Sequence, residues 1–82
     1  MRSEDEEQQY FSRLQTRAVH CRPVSLLLGR HSVFDLARGG GPYWLRVRRT
    51  AETFYEPNPF LLKYATLEKI DEFLKQKELR YA

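Results

Sequence analysis

The chain has 82 residues, the size of one small domain, and we treat residues 1–82 as a single unit. With 41% hydrophobic and 30% charged residues it is not disordered, and its single cysteine excludes an intramolecular disulfide and indicates a reducing compartment. No purely apolar run exceeds three residues, as in the leucines at 26–28, which is too short to cross a membrane, and the acidic start is unlike a secretory signal. We therefore expect a cytoplasmic protein without membrane contact, and at this length a binding or regulatory module rather than an enzyme.

The net charge of +3 is unevenly distributed. Residues 1–12 carry a net charge of −3, residues 13–49 carry +7, and residues 50–82 carry −1. Every cation in the middle block is an arginine, and arginine binds planar anions with two hydrogen bonds and stacks on rings. The block indicates an anionic partner, although a solvated arginine surface would give the same pattern.

Residues 3–19 are predicted to form a helix. Ser3 is a good N-cap, Glu6 lies three residues later as in a capping box, and the acids that follow Ser3 suit the positive end of the helix dipole. One apolar face is formed by Tyr10, Phe11, Leu14 and Ala18.

One strand and a hairpin are predicted next. The short apolar run from Pro23 to Leu28 alternates as a strand does. Residues 31–38 and 42–49 look like the arms of a hairpin closed by Gly39–Gly41, since three glycines can supply positive φ angles. The first arm would also tolerate a short helix.

The last third of the chain predicts one more strand and a helix. Residues 50–55 favour a strand, and the loop with Pro57 and Pro59 is expected to anchor Phe60 in the core. Residues 66–80 favour a helix with Thr66 as N-cap and an ion pair between Asp71 and Lys75, four residues apart. Its apolar stripe is Leu67, Ile70, Phe73 and Leu74.

These elements give an α+β fold: an N-terminal helix, a small antiparallel sheet of two to three strands and a C-terminal helix. The order of elements resembles that of the double-stranded-RNA-binding domain and, more loosely, that of integrase arm-binding domains. The former family has a lysine-rich start to its last helix, where this chain has Thr66-Leu67-Glu68-Lys69. The resemblance is one of architecture and implies no function by itself.

The best candidate site lies on the strand after the three glycines. Alternation places Trp44, Arg46 and Arg48 on one face of that strand and its apolar residues on the other. Arginine side chains attract phosphates, and exposed rings stack on unpaired bases. The first hypothesis is therefore a nucleic-acid-binding protein that uses Arg30, Arg38, Tyr43, Trp44, Arg46, Arg48 and Arg49. Alternatively, Trp44 packs beneath the N-terminal helix.

Other functions are less well indicated. His20, Cys21, His31 and Asp35 are the only groups suited to metal or nucleophile chemistry, and their spacing matches no zinc motif, so we predict no cofactor and no enzyme activity. Cys21 is expected to be a small core residue, and His31 a turn residue. The second hypothesis is a protein-interaction or regulatory subunit, with a protein partner or a homodimer formed through the helices and the aromatic-rich stretch 54–64.

Overall fold

The computed structural model describes residues 3–22, 24–33, 35–48 and 60–81. The three strands form one antiparallel sheet in the order β1-β2-β3, and both helices pack on the same face of it, which confirms the predicted fold class. The elements are α1 (Glu4–Val19), β1 (Leu26–Arg30), β2 (Tyr43–Val47), β3 (Phe60–Ala65) and α2 (Leu67–Tyr81), with a 3₁₀ turn at Leu36–Arg38.

Both helices begin at the predicted caps. The Ser3 hydroxyl accepts a hydrogen bond of 3.2 Å from the Glu6 backbone N–H, and four acidic residues occupy the first turn of α1. The Thr66 hydroxyl accepts a similar bond of 3.2 Å from the Lys69 N–H at the start of α2. Each cap satisfies a backbone donor that has no partner within its own helix.

The core lies between the sheet and the two helices. Leucines at 14, 45, 67 and 74 and Ile70 are almost completely covered, and Cys21 is buried beside them, as predicted. The remaining buried members are Ala18, Leu26, Leu28, Tyr43 and Ala65, while Tyr10, Phe11, Val47, Leu62 and Phe73 pack around the margin.

The hairpin is present, but its first arm is β1 and not residues 31–38. Leu28 lies opposite Leu45, and Gly29 lies opposite Trp44, so residues 31–42 form a long connection. Within this connection the Asp35 carboxylate accepts a hydrogen bond of 2.9 Å from the Ala37 N–H, and the Arg38 N–H donates to the Asp35 carbonyl at 3.0 Å. These local bonds stabilise the turn, which explains why the strand prediction for this arm was wrong.

The three glycines have the positive φ angles that the sequence predicts, at 68°, 81° and 136°. Two of them also pack closely against the end of β3. A Cβ atom on Gly40 would lie 2.7 Å from the Tyr64 carbonyl oxygen, and one on Gly41 would overlap the backbone of Ala65. The glycines therefore allow the connection to lie directly against β3.

The third strand seen in the structure is Phe60–Ala65. The strand predicted at residues 50–55 lies outside the described residues. Leu62 of β3 pairs with Leu45 of β2, and Ala65 pairs with Tyr43. The two β3 residues are three positions apart in sequence, whereas their β2 partners are two apart, so β3 contains a bulge. This bulge disrupts the alternation by which a strand is recognised in a sequence, and for that reason β3 was not predicted.

A polar network joins the two helices. The Arg17 guanidinium donates to Asp71 Oδ1 at 2.7 Å and to Glu78 Oε1 at 2.9 Å, and the Tyr10 hydroxyl donates to Asp71 Oδ2 at 2.7 Å. Asp71 therefore forms its hydrogen bonds with α1, whereas Lys75, the partner predicted from its spacing, contributes only a weaker electrostatic attraction. The bonds from Tyr10 and then from Arg17 lower the pKa of the Asp71 carboxyl.

Candidate nucleic-acid interface

The face of the sheet turned away from the helices is called the outer face. Tyr43 and Leu45 of β2 are buried in the core, so the alternating residues Trp44 and Arg46 lie on the outer face. Arg48 continues this alternation one residue beyond β2, where its backbone N–H donates to the Ser25 carbonyl at 2.9 Å. The outer face also includes Leu27, Gly29 and Phe60, which are paired with or adjacent to these residues.

Trp44 is half-buried on the outer face and does not pack beneath α1. Its indole lies over Gly29 of the neighbouring strand, where a Cβ atom would overlap the six-membered ring. On the other side, Phe60 and Trp44 form a T-shaped pair, with 6.1 Å between ring centroids and 81° between ring planes. Phe60, expected in the core, thus supports Trp44 on the outer face instead.

Arg46 lies beside this ring. Its guanidinium carbon is 5.2 Å from the centroid of the Trp44 ring, a cation–π geometry. The Nε atom of Arg46 is buried and has no hydrogen-bond partner in the described part of the chain. A desolvated donor of this kind is costly until an acceptor reaches it.

Tyr43 was predicted to belong to the interface, but the structure places it in the core. The residue is 5% exposed, and its ring lies 5.2 Å from the ring of Phe11 in the core. The Tyr43 ring is therefore not available to stack on a base. Arg49 lies outside the described residues, and Arg48 is exposed on the outer face.

Arg30 lies apart from Trp44, at the end of β1 on the helix-covered face. Its guanidinium carbon is 5.8 Å from the Tyr43 ring centroid. The groove beside it also includes Glu4, Asp5 and Glu7 of α1 and Glu68 of α2. This environment is acidic and unsuited to a phosphate, so Arg30 does not belong to the interface.

Arg38 contacts Tyr64, a residue that was not part of the predicted site. It lies at the end of the sheet with His31, Lys63 and Tyr64, and these four residues are called the sheet-end cluster. His31 lies just after β1 and stacks on Tyr64, with 4.7 Å between ring centroids. Lys63, Tyr64 and Phe60 were missed because they belong to β3, which the sequence pattern did not reveal.

Charge is unevenly distributed over the described residues: the helices carry both acids and cations, whereas the sheet and the β1–β2 connection are mostly basic. Among the described residues, the acids lie on α1 and α2, apart from Asp35 in the connection. The described residues of the sheet and of the β1–β2 connection, with Arg48 at the end of β2, carry five cations and one acid, a net charge of +4. The cations are Arg30, Arg38, Arg46, Arg48 and Lys63.

Cys21, the candidate nucleophile, is buried. Burial, followed by the charge of Glu78, raises the pKa of its thiol. Within residues 3–22, 24–33, 35–48 and 60–81, no group of three or more His, Cys, Asp or Glu side chains could hold a metal ion. The described helices include none with the length and apolarity needed to cross a bilayer.

Comparison of the chain with models of protein families, with curated proteins and with solved structures finds no match in any of the three.

Proposed function

We propose that the protein binds single-stranded nucleic acid on the outer face of its sheet. The observation that carries this proposal is the position of Trp44, which lies on the outer face beside Arg46 and Arg48 and not in the core. An aromatic ring on a sheet, flanked by arginines, is a common means of binding unpaired bases.

Each part of this surface has a distinct role. Trp44 stacks on a base, an interaction typically worth about 1–3 kcal/mol. Arg48 is exposed and attracts phosphates. The Arg46 guanidinium, held beside the indole, adds positive charge next to the stacked base.

A single strand is a better ligand for this surface than a duplex. A ring on a flat sheet can stack only on a base that is unpaired. The helix-covered side provides no alternative for a duplex, since Glu68 at the start of α2 shares a groove with the acidic first turn of α1. Phosphates would be repelled from that side.

Charge reversal on each side of the molecule tests the proposal. Arg48→Glu should weaken the binding of a labelled oligothymidylate at low salt by about tenfold or more, since it replaces an attractive charge with a repulsive one. Arg13→Glu is the matched control, because Arg13 is also exposed but lies on α1. Equal effects of the two variants would indicate only a general response to net charge and would contradict an interface on the sheet.

A second candidate function is self-association through β3. Within the described residues, β3 pairs with β2 on one side only, and Leu61 is 39% exposed. An unpaired strand edge can accept a strand from another copy of the chain. Sedimentation equilibrium distinguishes the two: this candidate predicts a dimer that Leu61→Lys weakens, whereas a monomer at all concentrations contradicts it.

A further inference from the structure

The sheet-end cluster brings two cations to one aromatic ring. Arg38 Nη1 donates a hydrogen bond of 2.7 Å to the Tyr64 hydroxyl oxygen, and its guanidinium carbon is 5.4 Å from the ring centroid. The Lys63 ammonium is 5.7 Å from the same centroid. A residue from the β1–β2 connection and a residue from β3 therefore place their charges around Tyr64.

The backbone around these cations is held from two directions. His31 Nε2 donates to the Lys63 carbonyl oxygen at 2.6 Å, while its ring stacks on Tyr64. On the side of the connection, Gly40 lies against the Tyr64 carbonyl without room for a side chain. Such support from the surrounding backbone fixes the position of a binding group before the ligand arrives.

Neither cation is neutralised by an acid of the described residues. The ion pairs of Arg17 with Asp71 and Glu78 lie on the other side of the sheet and involve neither cation. Asp35, the acid closest to Arg38 in sequence, accepts its hydrogen bond from the Ala37 N–H. Two cations held near each other without a counter-charge favour the binding of an anion.

We propose that Arg38 and Lys63 of the sheet-end cluster each bind a backbone phosphate of the same nucleic-acid strand whose base stacks on Trp44. This inference rests on the proposed function and adds the path of the bound nucleic acid. The single-stranded nucleic acid follows β2 from Arg48 toward Arg38. Arg48 lies six positions after Pro42, a span of about 20 Å in an extended strand. An oligonucleotide of several residues is needed to cover the span from Arg48 to the cluster, which lies close to Trp44 because the register places Trp44 across from Lys63 and Tyr64 of β3.

The double variant Arg38→Ala/Lys63→Ala tests this path with a fluorescein-labelled eight-residue oligothymidylate. Loss of two phosphate contacts should make the slope of log K against log salt less steep by about 1.4. The quenching of Trp44 fluorescence at saturation should stay the same. Arg13→Ala/Lys69→Ala is the matched control, because it removes one arginine and one lysine from exposed positions on the helices.

A charge-retaining double variant separates the effect of lost charge from that of a disturbed structure. Arg38→Lys/Lys63→Arg should keep the wild-type slope, although the hydrogen bond to Tyr64 is altered. Inorganic phosphate, added at constant ionic strength, should not displace the oligonucleotide. If inorganic phosphate displaces the oligonucleotide from the wild type but not from Arg38→Ala/Lys63→Ala, the cluster is a site for free phosphate. That result would overturn the proposed path of the nucleic-acid strand.

The two proposals fail in different ways. If the wild-type protein neither binds the eight-residue oligonucleotide nor shows quenching of Trp44, the proposed function fails and the inference fails with it. If the wild type binds and Trp44 is quenched, but Arg38→Ala/Lys63→Ala keeps the wild-type slope, only the assignment of the sheet-end cluster is overturned.

Discussion

The indole ring of Trp44 lies over Gly29 of the neighbouring strand, on the face of the sheet that the helices leave uncovered. Because glycine has no side chain, a large ring can lie flat against the backbone of β1 at this position. Phe60 forms a T-shaped pair with the ring, and Arg46 lies within cation–π distance. The orientation of Trp44 thus depends on three neighbours, one on each strand of the sheet.

Gly29→Ala should displace Trp44. The added methyl group would overlap the indole, and overpacking of this kind costs about 1–3 kcal/mol of unfolding free energy. Chemical denaturation measures the loss of stability, and a red shift of tryptophan emission reports the greater exposure of the ring. In a Trp44→Ala background the same substitution should cost much less, and an equal cost in both backgrounds would show that the contact is unimportant.

Asp71 should make stability depend on pH in the acidic range. Hydrogen bonds from Tyr10 and then from Arg17 lower its pKa in the folded state. The stabilisation is therefore complete above the pKa of Asp71 in the unfolded chain and is lost as the pH falls through the folded-state value. Asp71→Asn should lower the free energy of unfolding at pH 7 by about 1–2 kcal/mol, because charged hydrogen bonds are lost at a partly exposed position.

Denaturation curves measured from pH 7 down to pH 2 check this prediction. The difference in stability between the wild type and Asp71→Asn should shrink toward the acidic end of the series. Glu72→Gln is a suitable control, since Glu72 is the exposed neighbour of Asp71 on α2. A difference between wild type and Asp71→Asn that stays constant with pH would contradict the role of the charged carboxylate.

The parts of the fold that local chemistry determines could be predicted from the sequence. Ser3 and Thr66 mark the starts of the helices because their hydroxyls cap free N–H groups. The alternation in β2 correctly placed Trp44, Arg46 and Arg48 on one face of the strand. These features depend on residues that are neighbours in sequence.

The parts that depend on distant contacts could not be predicted. The first hairpin arm was misplaced because apolar residues near Val33 resemble a strand, while Asp35 bonds locally and forms a turn. The bulge in β3 hid the strand that contributes Phe60, Lys63 and Tyr64 to the outer face and the sheet-end cluster. The partners of Trp44 and Arg38 thus became visible only in the structure.

The glycines of the connection should differ in their tolerance of a side chain. Gly39 has a φ of 68°, and a Cβ atom added there would have no other atom within 4 Å, so Gly39→Ala should cost only about 1 kcal/mol for the left-handed backbone. Gly40 has a φ of 81° and also faces the Tyr64 carbonyl, so Gly40→Ala should cost about 2–3 kcal/mol. Denaturation experiments measure both, and equal losses would show that the connection does not lie against β3.

Cys21 should be unreactive in the folded protein. Its thiol is buried, and burial raises its pKa, so little thiolate is present at neutral pH. A thiol reagent should modify the native protein much more slowly than the denatured protein, as followed by absorbance. Equal rates would reveal an accessible thiol and would restore Cys21 as a candidate nucleophile.

The fluorescence of Trp44 tests the central claim most directly, because the chain contains no other tryptophan. Titration with an eight-residue oligothymidylate at several salt concentrations should quench the emission. The slope of log K against log salt should be about −3, as expected if Arg38, Arg46, Arg48 and Lys63 each contact a phosphate of a single strand. Unchanged emission at low salt, or binding that does not vary with salt, would contradict a nucleic-acid interface on the outer face.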